Sequence, residues 1–424
     1  MYRAIHLSVL LLCLLAGRSS AQSAPDTLVL DYPEAERLFL QQNLALLAQQ
    51  YNVDISKALV RQARYWDNPY LSTDQNIYDG RFFRHKTVNG QQYGQIYLQL
   101  QQVILTAGKR NKLIRLADDN RMTSEQQLYD LLRNLRFVLA TDFSTMSQLW
   151  QTNLLYTREI TAVAHMVEGM EAQFQAGNIS AKDNVRIKSL LYSLQSDQAD
   201  LLRQIADVQK ELHVLLQKND STFLMPRSLP VVFPEPPLLQ QVLDSARANR
   251  PDLQLAQINL LSQQHNLSYQ KALVSPDLTV GLEYDHLSNY VPNYFGLTVG
   301  LPIPILNRNK GNIAAAQFGV KQAQVGVDQA QTAIQQDIVA AYTKWLVAAR
   351  INKNQVRELG DQYDTLLNNM VESYRQRQVS LIEFIDFFDS YKDSRGRQLA
   401  QQANFWNASA ELNYTAGTTI IKLQ

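Results

Sequence analysis

Three stretches of the sequence bring together residue types that could do chemistry. TAGKRNK, residues 106–112, sets a glycine before two basic residues as a phosphate loop does. Such a loop needs an earlier glycine at a fixed distance and a Ser or Thr after the lysine; neither is present around Gly108 and Lys109, and the stretch reads as a helix start. His165 and Glu168 stand three apart, like two metal ligands on a helix, yet His85, His213, His265 and His286 are scattered and supply no third ligand. Serines are plentiful, but none sits in a Gly-x-Ser-x-Gly elbow, so no hydrolase nucleophile is visible. These patterns predict no catalytic residue, no resident metal and no cofactor. What remains is charge and its placement, which depends on the elements that carry it.

The first residues set the compartment. Arg3 gives a basic start, Ile5 to Leu15 an apolar core of signal-peptide length, and Ser19-Ser20-Ala21 a small-residue cleavage site, so residues 1–21 read as a secretory signal. Cys13 lies inside the apolar core, preceded by Leu10-Leu11-Leu12 where a lipoprotein signal needs a small residue, which argues against lipidation. Removal of Cys13 leaves an exported chain without cysteine or disulfides. The 40 basic and 39 acidic residues nearly cancel and form no basic block, so nucleic acid is not an expected partner. After the signal no run of 18 apolar residues occurs, which rules out a transmembrane helix and leaves a closed β-barrel as the other way to satisfy backbone polar groups in lipid.

Proline maps the rest. Five of the 13 prolines fall within 226–237, whereas 70–225 and 305–424 contain none, which predicts two helical halves, 22–225 and 238–424, around a proline-rich linker at 226–237. Ile187, Leu191, Leu194, Gln198, Leu201, Ile205, Val208, Leu212 and Leu215 recur in steps of four and three, the seam of a coiled coil, and Val356, Leu359, Tyr363, Leu366, Met370 and Ser373 repeat it. The halves resemble each other. Residues 43–69 match 250–276 at an offset of 207, and FQAGNISAKDNV (174–185) matches YRQRQVSLIEFI (374–385) at an offset of 200.

Between these helical stretches the period becomes two. Gly94, Ile96, Leu98 and Leu100 alternate with Gln95, Tyr97, Gln99 and Gln101; Leu278, Val280, Leu282 and Tyr284 alternate with Thr279, Gly281, Glu283 and Asp285; Phe295, Leu297, Val299 and Leu301 alternate with Tyr294, Gly296, Thr298 and Gly300. Runs of about ten residues with one apolar face fit tilted bilayer-spanning strands, and equally a half-buried hairpin of a soluble domain. Tyr65, Trp66, Tyr70 and Tyr78, with Tyr284, Tyr290, Tyr294 and Phe295, cluster at the strand ends, as membrane-interface girdles do, or as the core of a soluble sheet. Each half thus reads helix, strand, strand, long helix, turn, long helix, with the first long helix from about 109 to 176 and its return from about 180 to 217. Four strands cannot close a barrel around a channel, so a barrel needs several chains.

This pattern resembles the TolC-like outer-membrane efflux family over about residues 28–417. The most specific pieces are the duplicated tips AGNISAKD and RQVSLIEFID, and GLPIPILNRNKGNIAAAQ at 300–317, which is similar to the strand-to-helix junction of the heavy-metal efflux branch. The resemblance implies an α+β membrane protein of the outer membrane, a homotrimer giving four strands per chain to a 12-stranded barrel and its helices to a periplasmic coiled-coil tunnel. It also implies a periplasmic adaptor and an inner-membrane pump of the RND type as partners. Cargo stays open between metal cations, drugs and a secreted protein; outside the family the alternative is a soluble periplasmic coiled-coil adaptor.

By the same resemblance the tunnel is gated where its hairpins turn. The positions that match are Asp183 in the first repeat, Glu383 and Asp386 in the second, and Tyr374 as a holding partner, around tips at Gly177, Ser180 and Ser380. Glu383 and Asp386 share a helix face, so a trimer would line its pore with six carboxylates, a ring that favours cations; the plainer reading is solvated helix-end charge. Val379 stands where some relatives place a basic residue. At the barrel-to-tunnel joint, Pro302 and Pro304 stiffen a bend where ladder donors are no longer needed, Asn309 or Asn312 caps the next helix, and Gly311 belongs to the polar turn.

Overall fold

The computed structural model describes residues 26–423 apart from 79, 83–86, 89–90, 93, 228–233, 288–290 and 359–361. The expected signal peptide, Cys13, His85, Tyr290 and the middle of the expected linker lie outside the described residues. No described helix is long and apolar enough to cross a membrane.

The first half runs β1 (Thr27–Leu30), α1 (Tyr32–Gln42), α2 (Leu44–Ala63), β2 (Tyr70–Gln75), the two-residue strands β3 (Thr87–Val88) and β4 (Gln91–Gln92), β5 (Ile96–Ile104), α3 (Lys109–Gln175) and α4 (Ala181–Leu216). After β6 (Phe223–Pro226) the order recurs: α5 (Leu239–Asn249), α6 (Pro251–Ala272), β7 (Leu278–Leu287), β8 (Pro292–Gly300), α7 (Lys310–Glu358), α8 (Gln362–Arg375) and α9 (Leu381–Ala416). The long helices of the first half begin and end within a residue or two of the positions expected from hydrophobic period and proline absence. At 67 residues α3 is about 100 Å of rod. The seam holds: Ile187, Leu194, Leu201, Ile205, Leu212 and Leu215 are buried. The pairing of β1 with β6 is parallel and was invisible in the sequence, because four-residue strands carry no usable period.

Both halves break their short helix pair at equivalent positions with different chemistry. Asn43 leaves helical geometry (ψ 117°), its side chain accepts from the Ala45 and Leu46 amides, and it donates to the Leu215 carbonyl at 3.0 Å. Arg250, 207 residues later, has the same backbone shape (ψ 118°), but there Pro251 starts the helix and the buried guanidinium holds Asp252 and Asp337 at 3.0 Å each.

The strands form one antiparallel sheet in the order β2-β5-β7-β8. Its two hairpins keep one register. Tyr70 faces Gln101 in the first; moving 207 along from β2 and 201 along from β5 lands on the ladder that pairs Thr279 with Gly300 in the second. One face carries Leu71, Leu98, Leu100, Leu282, Phe295, Leu297 and Val299, largely exposed. The other is polar: Tyr97 donates to Glu283 at 2.9 Å, and Gln99 reaches both Glu283 and Thr298 at 3.3 Å. Gly296 leaves room for this network, since a Cβ there would sit 2.5 Å from the Tyr294 ring and 2.8 Å from Glu283.

The helix that follows each sheet hairpin springs from a left-handed residue, Gly108 (φ 65°) before α3 and Asn309 (φ 55°) before α7, 201 apart. Here the sequence reading needs correction. The α7 helix starts at Lys310, so Gly311 lies in its first turn and not in the polar turn. β8 ends at Gly300, before Leu301. The Asn309 side chain does not cap; its amide donates to the Gln270 carbonyl at 2.8 Å and its oxygen accepts from Asn312, tying α7 to α6. Pro302 and Pro304 fall in the exposed irregular stretch between β8 and α7. In the first half the buried Lys109 performs the tie, donating to the Ser275 carbonyl at 2.6 Å and Asp277 at 2.7 Å across the repeat boundary.

Three clusters of buried apolar residues run down the helices. Neighbours on α9 divide between two of them: Phe405 packs with Trp345 and Trp406 with Tyr32. The indole of Trp345 donates to Ser409, and that of Trp406 to the Ala140 carbonyl. Each large side chain so buried contributes about 1.5–3 kcal/mol. Because Asn43 both caps α2 and satisfies a buried carbonyl, Asn43→Ala is expected to destabilise the chain by about 1–2 kcal/mol, measured as a lowered thermal midpoint by circular dichroism.

Candidate functional site at the helical hairpin tips

The two long hairpins turn with the same backbone. After α3 the Gly177 amide donates to the Phe174 carbonyl and the Asn178 amide to Gln173; after α8 the Arg377 amide donates to Tyr374 and the Gln378 amide to Ser373. This is the double bond of a Schellman ending, which needs one left-handed residue. Gly177 (φ 75°) supplies it without strain, and Arg377 (φ 59°) does the same 200 residues later with a side chain.

The next helices are capped alike. Ser180 precedes α4, accepts from the Asp183 amide at 3.1 Å and donates its hydroxyl to the Asp183 carboxylate at 2.7 Å. Ser380 precedes α9 and forms a reciprocal capping box: its hydroxyl accepts from the Glu383 amide, and its own amide donates to the Glu383 carboxylate at 2.7 Å. Those bonds from Ser380 hold the Glu383 carboxyl below the usual range. Both acids therefore stand at helix N-termini, where the backbone dipole favours negative charge. Asp386 is exposed one turn further on.

Tyr374 joins the two hairpins. Its hydroxyl lies 3.3 Å from the Met170 sulfur, its ring packs 5.5 Å from Phe384, and burial together with the charge of Asp183 raises its pKa. Gly177, Ser180, Asp183, Tyr374, Ser380 and Glu383 are thus gathered at one end of the helical bundle. In this single chain each acid bonds to its own helix and not to a neighbouring one.

Sequence reading missed the ties just above the tips. Glu171 on α3 accepts from Asn184 at 2.9 Å and Lys188 at 2.5 Å on α4, and from Gln175; the lysine, with both amides, pulls its pKa down to about 2. No periodicity marks such a pair, since its partners meet only when the helices pack. Glu159 left a fainter signal, a carboxylate in the stripe Leu155, Val163, Met166, Met170. It is fully buried and neither oxygen has a hydrogen-bond partner. Around it stand Lys392 and Asp389 of α9, with Asp197 of α4 and Tyr156 close by. The histidines serve local structure: His213 closes the end of α4, His265 holds the buried Asp119 at 2.7 Å, and His165 and Glu168 are an exposed pair 3.6 Å apart.

Burial, only partly opposed by Lys392, raises the Glu159 pKa to about 8. The folded chain then holds a proton that the unfolded chain releases above its ordinary carboxylate pKa. Stability is full below that ordinary pKa and falls as pH rises from about 4.5 toward 8. Glu159→Gln removes the titration, so the loss between pH 5 and pH 8, on the order of 2–4 kcal/mol, is expected to shrink in thermal melts at the two pH values.

Comparison with known proteins adds a partial family match and a shared fold. Residues 242–415 match the family model described as outer membrane efflux protein. The chain is 23% identical over 278 residues to the cobalt-zinc-cadmium resistance protein CzcC of Cupriavidus metallidurans, a match covering 65% of this chain and 63% of that relative, under two thirds of its length. Its fold matches the crystal structure of a membrane protein from Pseudomonas aeruginosa with a TM-score of 0.75 at 15% identity, covering 95% of this chain and 96% of the other. It also matches CusC, described for its transmembrane channel formation, with a TM-score of 0.72 at 18% identity and coverage of 94% and 96%. Residues 242–415 thus match the outer membrane efflux protein model, and the chain as a whole has the fold of these solved membrane-protein structures.

Proposed function

We propose that the chain is the passive outer-membrane exit duct of a tripartite efflux pump. The observation that carries this is the four-stranded antiparallel sheet with one apolar and one polar face, standing on helices of 67 and 49 residues, about 100 and 75 Å long. An apolar band outside and a hydrogen-bonded polar surface inside are what a barrel wall in lipid requires. Four strands fall short of closure, so three copies supply a 12-stranded barrel. The chain is exported by residues 1–21, is not lipidated, and is organised as repeats 22–225 and 238–424 joined at 226–237. A periplasmic adaptor and an RND-type inner-membrane pump deliver cargo and energy.

Metal cations are the favoured cargo. The junction at 300–317 and the likeness to a protein named for cobalt, zinc and cadmium resistance support it.

The periplasmic gate is assigned to Asp183, Glu383 and Asp386, with Tyr374 holding the two hairpins together. Replacing Glu383 and Asp386 by Ala is expected to lower cation selectivity about twofold and raise leak conductance in planar bilayers; unchanged values remove these acids from the gate. The duct itself is tested by fractionation. A heat-modifiable trimer in the outer membrane is expected, whereas recovery in the soluble periplasmic fraction overturns the reading.

A further inference from the structure

Among the described residues the sheet ends on two open edges, the outer side of β2 and the outer side of β8. Because the hairpins obey one internal repeat, the observed pairing of β5 with β7 inside the chain is a template for how β8 of one copy meets β2 of the next. In β5–β7, Tyr97 faces Asp285 and Ile104 faces Leu278. Moving 201 forward from β5 and 207 back from β7 puts Thr298 opposite Tyr78, Val299 opposite Ile77, Leu301 opposite Gln75, Ile303 opposite Thr73 and Ile305 opposite Leu71. We propose that copies of this chain join in that register, with the segment Leu301–Ile305 straightening into the seam as the continuation of β8.

The backbone supports this register at the prolines. The Asn76 amide donates to the Gln95 carbonyl at 3.0 Å, in line with the β2–β5 ladder. Backbone donors alternate sides along a strand, so even-numbered residues of β2 face β5 and odd-numbered ones face the open edge. Followed through the β5–β7 and β7–β8 registers, the same alternation turns even-numbered residues of β8 toward β7 and odd-numbered ones outward. Pro302 and Pro304 are even. Their missing donors fall on the side where β7 has already ended, at Leu278, while Leu301 and Ile303 keep theirs on the side of the next copy; the Ile305 amide, which here donates to the Ile303 carbonyl at 2.9 Å, is freed for the seam when the segment straightens. A Pro-x-Pro step in this phase removes no seam bond, and one residue out of phase it would remove two. The side chains agree: Leu301, Ile303 and Ile305 are exposed and continue the apolar face of Phe295, Leu297 and Val299.

The same transfer describes the helices. Inside the chain α3 meets α6 and the turn after it through the buried Asp119 with His265 and the ionic tie of Lys109 with Asp277. The equivalent positions between copies are Lys310 with Tyr70, and Val320 with Ala58. Leu44, Leu47, Tyr51, Ile55 and Leu59 on α2 form an exposed apolar stripe through that region. The seam within a chain is thus polar and ionic, and the seam between copies is apolar.

This rests on the reading of the chain as a self-assembling duct, and the test separates the two. The only cysteine is Cys13, in the stretch expected to be cleaved, so paired cysteines report cleanly. The probe is the full chain in outer membranes carrying Val299→Cys with Ile77→Cys, oxidised with copper-phenanthroline and run without reductant. Covalent trimers are expected, at least about tenfold more than from Val299→Cys with Thr73→Cys, a pair four residues out of register and beyond disulfide reach. Equal or better linking of the slipped pair overturns the register. If wild type gives trimers with glutaraldehyde but the Val299 and Ile77 pair does not link, the register alone fails; if glutaraldehyde shows only monomers, the duct reading fails with it. Ile303→Pro is expected to abolish the trimer, whereas Ile303→Ala, Pro302→Ala and Pro304→Ala keep it; loss in the proline variants to the same degree as in Ile303→Pro overturns the phase argument.

Discussion

A backbone amide or carbonyl inside a bilayer must find a partner within protein, because lipid offers none. Much of this chain follows from that. Its sheet satisfies the inner edges of its four strands and, among the described residues, leaves the outer sides of β2 and β8 open; in the proposed duct, association finishes the fold. The internal duplication makes the open edges complementary to each other, as each repeats an edge already paired inside the chain.

The helices inherit their arrangement from the sheet. Each hairpin feeds one long helix through a left-handed residue, and the strand spacing fixes which helices become neighbours. Within the chain α3 packs on α6 as α7 packs on α6 and α3 on α2. Lys109 and Asn309 fasten these joints with opposite strategies, a buried charge reaching a carboxylate in one and an amide reaching a carbonyl in the other. Further down, α9 sends Phe405 and Trp406 into separate cores, so the last helix locks both halves together.

At the far end the acids at 183 and 383 show how charge serves two purposes. Glu383 completes a capping box with Ser380 and Asp183 accepts from the Ser180 hydroxyl, so each carboxylate is held at the first turn of its helix. Glu159 is the opposite case, a buried carboxyl without partner in the wall of the bundle. Its proton makes the packing of α3 against α9 sensitive to pH in a way the surface acids do not.

The sequence alone determined what depends on local period and local chemistry. Proline-free runs and steps of three and four located α3 and α4 to within two residues, and alternation located β5, β7 and β8. It also showed the duplication, and with it the resemblance that the family match supports. The tertiary structure decided what needs distant residues in contact: the parallel clip of β1 on β6, the Lys109–Asp277 tie, the burial of Glu159, and the turning of Asn309 away from capping toward Gln270. Period and propensity act along the chain and can be read from it, whereas burial and cross-strand register are set by which helix or strand arrives alongside.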